Sequence, residues 1–250
     1  MTATASSTFP GATAVSAVSI YNWPASDGAA GGTPHMHTAS TEAYIVLEGT
    51  GRLETLDSRG FTSTDLAPGV VLWFTPGTVH RAINTSGDLK VLVLMQNAGL
   101  PENGDAVMTF PAGHLADVES YRAAASLPSK EADGGDPAAE EAVRRRRDLA
   151  LEGYLQLKEE VLRSGVAGLA DFHAAAVNLV SGNTAAWTGF LEQGAAAQAA
   201  LTKDHLRSLE SKESFFLQES ATRMGIRKPR RIYGMCGRID TWELSDNSQR

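Results

Sequence analysis

Two histidines separated by a single residue, His35 and His37, open the segment PHMHTASTEAYIVLEG at residues 34–49. On an extended strand, residues i and i+2 leave the same face, so both imidazoles can reach one ion. Four small or polar residues then allow the chain to turn before Glu42, and AYIVLEG is typical of a β-strand that ends at Gly49. The segment therefore predicts two strands that bring two imidazoles and one carboxylate together.

A second segment, APGVVLWFTPGTVHRAIN at residues 67–84, supplies a further candidate ligand. The apolar run that ends at Phe74 is typical of a buried strand, Pro76 and Gly77 indicate a turn, and His80 opens the next strand. Three imidazole nitrogens and one carboxylate oxygen suit one divalent transition metal ion, namely iron, manganese, nickel, zinc or copper. A calcium ion would need more oxygen ligands. The residues leave the identity of the metal open.

These two segments resemble the two motifs of the cupin superfamily. The first motif, H-x-H followed by a glutamate and a glycine, is matched by His35, His37, Glu42 and Gly49. The second motif, a glycine, a P-x-G turn, a histidine and an asparagine, is matched by Gly69, Gly77, His80 and Asn84. The chain departs from the pattern at the leading glycine, which is displaced, and at Thr75, which stands where proline is usual.

The resemblance covers about residues 15–112 and implies a mainly β fold with the metal inside. The fold expected is a small antiparallel β-barrel, the double-stranded β-helix or jelly roll, followed by an α-helical C-terminal region. We predict an N-terminal arm at 1–14, the barrel at 15–114, a connector at 115–140, a helical region at 141–225, and a tail at 226–250 that could add an edge strand. The resemblance also implies a homodimer paired through sheet edges.

The composition limits the classes of partner. The chain has 250 residues, of which 42% are hydrophobic, and a net charge of −7. No apolar run approaches the roughly 18 residues of a membrane span, and the N-terminus lacks the features of a signal peptide, so a cytoplasmic protein without a membrane partner is expected. One cysteine, Cys236, fits a reducing compartment and is interpreted as an inert core residue. The barrel region has nine acidic and four basic residues, which gives no reason to expect nucleic-acid binding.

The parity of the strands predicts which side chains surround the metal. Residues that share a face with Glu42 or His80, together with two neighbours of less certain facing, are Tyr44, Val46, Ala82, Asn84, Trp73 and Gln96. Glu48 and His114 are the candidates for a catalytic base. The run Arg144–Arg147 is interpreted as a solvated helix surface. No organic cofactor is predicted.

Three functions remain open at this point. The ligand set is similar to that of several cupin dioxygenases, which favours metal-centred Lewis-acid or dioxygen chemistry on a small oxygenated organic substrate. A sugar or hydroxy-carbonyl isomerase, epimerase or lyase is an alternative, and it needs a separate base. A non-catalytic small-molecule sensor is a further alternative. Because protons compete with the ion for imidazole nitrogen, metal affinity is expected to fall below about pH 6.

Overall fold

The structure is a computed structural model that describes residues 9–129, 131–132 and 137–246. The predicted arm at 1–14 therefore lies mostly outside the described residues. The strands are β1 (Ala14–Ile20), β2 (His35–His37), β3 (Glu42–Glu48), β4 (Gly51–Asp57), β5 (Gly60–Leu66), β6 (Val71–Phe74), β7 (Val79–Asn84), β8 (Lys90–Met95), β9 (Ala106–Met108), β10 (Arg223–Arg227), β11 (Ile232–Tyr233), β12 (Gly237–Asp240) and β13 (Trp242–Asp246).

Two antiparallel sheets form the jelly roll that the sequence predicts. One sheet has the strand order β11-β12-β1-β8-β3-β6, and the other has the order β5-β4-β7-β2-β9. Strand residues alternate between the two faces of a sheet, so Tyr44 and Val46 of β3 face inward, where they pack with Leu53 of β4 and Val91 of β8 in one core. The tail supplies β12, which pairs along β1. The two sheets thus enclose the inner face on which the ligand strands meet.

Helices cover the outer face of the five-stranded sheet. These are α1 (Ala112–Leu115), α2 (Val118–Ala125), α3 (Pro137–Ser164), α4 (Ala170–Val180) and α5 (Thr184–Leu191). A further helix, α6 (Ala197–Glu210), buries none of its residues. Met36 of β2 and Val79 of β7 point outward and pack with Leu151, Tyr154 and Phe172 in a second core. Helices α3 and α4 therefore pack against the barrel as an outer layer. Among the described residues, none of the helices combines the length and the apolar character needed to cross a membrane.

Two parts of the helical prediction need correction. The predicted connector contains a helix, α2, because the Asp117 side chain accepts a hydrogen bond from Ser120 N at 2.8 Å and caps its start. Helix α6 ends at Glu210, well before Gly225, because Lys212 adopts a left-handed conformation with φ of 59°.

The arginine run Arg144–Arg147 is only half solvated. Its first two members form surface ion pairs with glutamates one turn earlier, as expected. Arg147, however, is buried and donates to the carbonyl oxygens of Trp23 at 2.9 Å and Pro24 at 2.8 Å. Arg146 donates to the carbonyl oxygen of Ala125, the last residue of α2, and to that of Gly234 between β11 and β12. One side of α3 faces the barrel. The guanidinium groups on that side therefore donate hydrogen bonds to backbone carbonyl groups that lie outside the β-ladders.

We expect Gly153→Ala to destabilise the protein, although alanine is the better helix former by about 1 kcal/mol. Gly153 lies within α3 where the helix meets the barrel, and a Cβ atom there would come within 2.1 Å of the Thr109 carbonyl oxygen. Backbone atoms cannot move aside cheaply, so the cost is about 1–3 kcal/mol of unfolding free energy. Urea unfolding measures it, with Gly113→Ala as control because a Cβ there meets open space. Equal stability of the two variants would contradict this packing.

Candidate metal centre

Four buried side chains predicted from the sequence as ligands come together on the inner face of the barrel. His35 and His37 come from β2, Glu42 is the first residue of β3, and His80 comes from β7. In the antiparallel ladder His35 lies directly opposite His80, so both imidazoles leave the same face of the sheet. One ligand atom from each of the four residues lies within 4.8 Å of the other three.

Backbone carbonyls orient two of the imidazoles. His35 Nδ1 lies 2.8 Å from the Thr33 carbonyl oxygen, and His80 Nδ1 lies 3.2 Å from the Thr78 carbonyl oxygen. In each case the carbonyl two residues earlier in the chain accepts the Nδ1 proton. This fixes the tautomer and leaves Nε2 with its lone pair free for an ion.

A buried carboxylate that sequence reasoning missed orients the third imidazole. Asp105 Oδ2 lies 3.2 Å from His37 Nδ1. The same carboxylate accepts hydrogen bonds from the backbone N–H groups of Thr38 at 2.9 Å, Ala39 at 2.7 Å and Ser40 at 3.1 Å. It therefore fixes both the imidazole ring and the turn between the ligand strands. No local signal identifies it, because Asp105 follows an exposed turn and its partners lie more than 60 residues away.

The contacts of Glu42 test whether the four residues fit an ion. Glu42 Oε2 lies 3.2 Å from His37 Nε2 and 3.3 Å from His80 Nε2. Among the described residues neither this oxygen nor His80 Nε2 has a hydrogen-bond partner, although both atoms are buried. Ligands bonded to one ion at about 2.0–2.2 Å and about 90–110° apart are separated by roughly 3.0–3.5 Å. The donor set and its spacing therefore fit a divalent transition metal ion.

Burial and neighbouring charges perturb the protonation of this cluster. Burial, and then the proximity of His80 and His37, hold the pKa of His35 well below its usual range. Burial would also lower the pKa of His37, but the carboxylates of Asp105 and Glu42 outweigh it and raise that pKa to about 9. Burial would raise the pKa of Glu42, but His37 and His80 hold it well below its usual range. In the metal-free protein at neutral pH, His37 thus carries the proton and Glu42 is ionised.

We expect metal binding to release close to one proton at pH 7.5, because His37 must lose its proton before its Nε2 can bind an ion. Affinity should rise about tenfold per pH unit up to about pH 9. This places the pH dependence above the value near 6 expected from the sequence. Calorimetric titration of zinc in two buffers of different ionisation enthalpy measures the released protons, and an enthalpy independent of the buffer would contradict the prediction.

The raised pKa of His37 also makes a pH-dependent contribution to the stability of the metal-free protein. The folded pKa of about 9 lies above the unfolded value of about 6.5, so the charged form of His37 stabilises the fold. This contribution is complete below about pH 6.5 and is lost as the pH rises through about 9.

A cavity of about 280 Å³ opens next to the ligands. Its walls include His35, His37 and Glu42, and apolar side chains of β1, β8 and the tail. Tyr44 Oη lies 3.2 Å from Cys236 Sγ, and both residues line the cavity. Burial raises the pKa of the Cys236 thiol to about 12 and holds the pKa of Tyr44 well above its usual range, so both groups remain protonated. Cys236 belongs to the buried core, as predicted from the sequence, and it also contributes to the cavity wall.

The other predicted pocket residues lie elsewhere. Val46 and Ala82 have the predicted inward facing but lie in the core between the sheets. Asn84 shares the parity of His80, yet its side chain donates to the Ile20 carbonyl oxygen at 3.0 Å and accepts from Gly87 N at 2.8 Å, so it braces a turn. Trp73 points outward from β6 and is 68% exposed. Gln96 is exposed just beyond the end of β8.

Neither candidate for a catalytic base lies at the cavity. The Glu48 side chain is exposed at the end of β3 and lies 3.9 Å from Lys90 Nζ. His114 belongs to α1, where its ring contacts Phe110. Both residues lie outside the cavity lining, because the first points away from the barrel interior and the second follows the barrel on the helical side.

A larger cavity of about 590 Å³ has none of the four candidate ligands in its wall. It occupies the seam between edge strands β5 and β6, and α4 contributes His173 to its wall. Phe74 lines this seam, and its ring centroid lies 4.2 Å from that of His80. The phenyl ring therefore stands between the seam and the ligand cluster.

Solved structures show limited similarity to this chain. Among solved structures, KdgF from Halomonas sp. is 27% identical over 27% of this chain and 57% of its own, with a TM-score of 0.24. The TDP-quinovose 3,4-ketoisomerase WlaRB from Campylobacter jejuni is 18% identical over 33% of this chain and 60% of its own, with a TM-score of 0.29. Oxalate decarboxylase from Bacillus subtilis is 20% identical over 32% and 20%, with a TM-score of 0.29.

Each of these matches spans less than two thirds of the other chain and assigns no activity to this one. The search of curated proteins finds no match. The family model described as the cupin domain matches residues 26–95, the segment that contains all four candidate ligands. Residues 26–95 of the chain therefore form a cupin domain.

Proposed function

We propose that this protein is a metal-dependent enzyme that acts on a small oxygenated organic substrate by dioxygenase-like chemistry. The observation that supports the proposal is that the four candidate metal ligands lie directly beside a cavity. Three of the four convergent ligand residues also line the 280 Å³ cavity, so a molecule held there would lie against the ion. The remaining candidate ligand, His80, belongs to the cluster but does not line the cavity.

The ionisable groups of the cavity favour dioxygen chemistry over proton transfer. Among the described residues that line the cavity, the ionisable side chains other than the candidate ligands are Tyr44, Cys236 and Glu102. Tyr44 and Cys236 stay protonated and cannot accept a proton. Glu102 is exposed, and its Oε2 already accepts from Gly99 N at 2.7 Å. An isomerase or epimerase needs a base close to the substrate carbon. A reaction activated at the metal does not need one.

The chain itself binds and orients the substrate. A bound transition metal ion supplies Lewis acidity and, if redox-active, a route for electrons to dioxygen. The Tyr44 hydroxyl and the Cys236 thiol provide hydrogen-bonding groups in the cavity wall. Val18, Val93 and Met95 provide apolar walls that limit the water around the substrate.

A lyase, isomerase or epimerase is the second candidate, and Glu102 is the observation that favours it. This carboxylate lines the cavity at its exposed rim, where it could accept a proton from a substrate that extends outward. The predicted sensor corresponds to a third outcome, in which a ligand binds without being converted.

Oxygen uptake distinguishes these candidates. The protein is purified without chelators, its metal is quantified, and it is supplied with enols, flavonoids and keto-sugars. We expect substrate-dependent oxygen consumption that disappears after the metal is removed and returns when it is restored. Anaerobic turnover that is lost in Glu102→Gln would select the second candidate instead. Binding without turnover under either condition would contradict an enzymatic function.

A further inference from the structure

The turn that connects β6 to β7 is hydrogen-bonded to the helical layer. It has the sequence TPGT at residues 75–78, and Thr78 N donates to the Thr75 carbonyl oxygen at 3.2 Å. A proline followed by a glycine with φ of 90° is the arrangement of a type II turn. The Gly77 carbonyl oxygen lies 3.0 Å from Nε2 of His173 on α4. Because a carbonyl oxygen can only accept, His173 carries its proton on Nε2.

The same turn contacts both strands that carry the imidazoles. Gly77 N donates to the carbonyl oxygen of His37 on β2 at 3.0 Å. One residue later, the Thr78 carbonyl oxygen accepts the Nδ1 proton of His80 at 3.2 Å and so orients that ring. A shift of the turn would move the acceptor that orients His80 and would disturb the hydrogen bond to the strand of His37. The position of the turn is therefore part of the geometry of the candidate metal centre.

Helix α4 holds His173 in a fixed position relative to these strands. Phe172, the preceding residue, is buried and packs with Met36 of β2 and Val79 of β7. A Cβ atom placed on Gly77 would lie 3.9 Å from the His173 ring, so the imidazole is in van der Waals contact with the turn. The helix is thus packed against the outer face of the ligand strands, and its histidine reaches the turn at the end of the sheet.

The hydrogen bond from His173 lies at the wall of the 590 Å³ cavity, which Gly77 and Thr78 also line. Without the imidazole, water in this cavity can bond to the Gly77 carbonyl oxygen, so the oxygen keeps a partner. Water has no fixed position relative to the strands, whereas a side chain on a packed helix has one. Loss of the imidazole is therefore expected to change the position of the turn more than the stability of the fold.

We propose that His173 is a positioning residue of the metal centre, because it holds the β6–β7 turn where the Thr78 carbonyl oxygen directs the His80 imidazole at a bound ion. The residue acts through two hydrogen bonds and touches neither the ion nor the substrate. It lies on α4, outside the segment 26–95 that matches the family model, so the helical region contributes to the metal centre. The inference rests on the metal binding that the proposed function requires and is independent of the reaction.

Two substitutions in the full chain separate the hydrogen bond from the volume of the ring. His173→Phe keeps a planar ring and removes the donor, whereas His173→Gln places an amide N–H donor close to the position of Nε2. We expect His173→Phe to raise the zinc dissociation constant by about tenfold, the lower end of the effects of groups that orient a ligand. His173→Gln should stay within about twofold of the wild type because it retains the donor. His114→Phe on α1, outside the turn, is the matched control.

Two further measurements distinguish positioning from a role in stability alone. The visible absorption of the cobalt-loaded protein at saturating metal reports the geometry of the ligands, and we expect it to change in His173→Phe only. Hydrogen exchange of the Gly77 amide in the metal-free protein reports how firmly the turn is held on β2. This exchange should become about five- to tenfold faster in His173→Phe and stay unchanged in His114→Phe.

The outcomes separate this inference from the metal centre itself. Wild-type zinc affinity and an unchanged cobalt spectrum in His173→Phe would overturn the role of His173 and leave the metal centre in place. Equal losses in His173→Phe and His173→Gln would also overturn it, because the donor would then make no difference. A wild-type chain that binds neither zinc nor cobalt would overturn the metal centre, and this inference with it.

Discussion

Replacing His80 with alanine is expected to lower metal affinity by at least about 100-fold, because loss of a direct ligand costs more than loss of a group that orients one. His80 is fully buried, it lies opposite His35, and its Nε2 has no hydrogen-bond partner among the described residues. In the metal-free protein its Nδ1 bonds the Thr78 carbonyl oxygen, which leaves its Nε2 available for an ion. The affinity of zinc or manganese for the variant, measured by competition with a chelating dye, gives the size of the effect.

Two further variants separate loss of a ligand from loss of the fold. Glu42→Gln keeps the size of the side chain and removes the negative charge, so it should weaken metal binding while the circular dichroism spectrum stays unchanged. His114→Ala removes a histidine from α1, outside the cavity, and should bind metal as the wild type does. Wild-type metal content in His80→Ala would show that this cluster is not the metal centre.

Asp105→Asn is expected to destabilise the metal-free protein by about 3 kcal/mol, as loss of one partner of a buried ionic pair typically does. Burial alone would raise the pKa of Asp105, but hydrogen bonds from His37, Thr38 and Ser40 outweigh it and hold that pKa well below its usual range, so the carboxylate is ionised. The amide that replaces it offers one acceptor oxygen to donors that now use two. Metal affinity should also fall by about 10–100-fold, because the His37 ring loses its support.

Urea unfolding in the presence of a chelator measures the stability effect, and a metal titration measures the affinity. Asp65→Asn, an exposed carboxylate of the same barrel, is the control and should change neither quantity. If Asp105→Asn unfolds at the same urea concentration as the control, the carboxylate does not brace the turn between the ligand strands.

The ligand set could be predicted from the sequence because its information is local. His35 and His37 share a face through strand periodicity, and short turns fix where the strands that contain Glu42 and His80 begin. The same parity rule correctly places Tyr44 at the cavity. The rule also places Asn84 on the inner face, but it does not give the position of that side chain along the barrel axis. In the structure the Asn84 side-chain oxygen accepts hydrogen bonds from the backbone N–H groups of Gly87 and Leu89, so the side chain does not reach the cavity.

The residues that the sequence did not reveal act over long separations. Asp105 contacts a turn more than 60 residues earlier, and Arg147 donates to carbonyl groups more than 120 residues earlier. Neither residue belongs to a periodic pattern that points to its partner. Cys236 is a similar case, since it reaches the cavity wall only because the tail returns to pair with β1.

The strands that carry the imidazoles are held from both sides. On β2 and β7, side chains directed at the ligand cluster alternate with Met36 and Val79, which are embedded in the helical layer together with Ala176 of α4. A change of volume at Ala176 would thus press on the backbone that aims the imidazoles without entering the substrate cavity. Substitutions on the helix-facing side of this sheet can therefore change the geometry of the imidazoles, and with it reactivity, while the residues that contact the substrate stay the same.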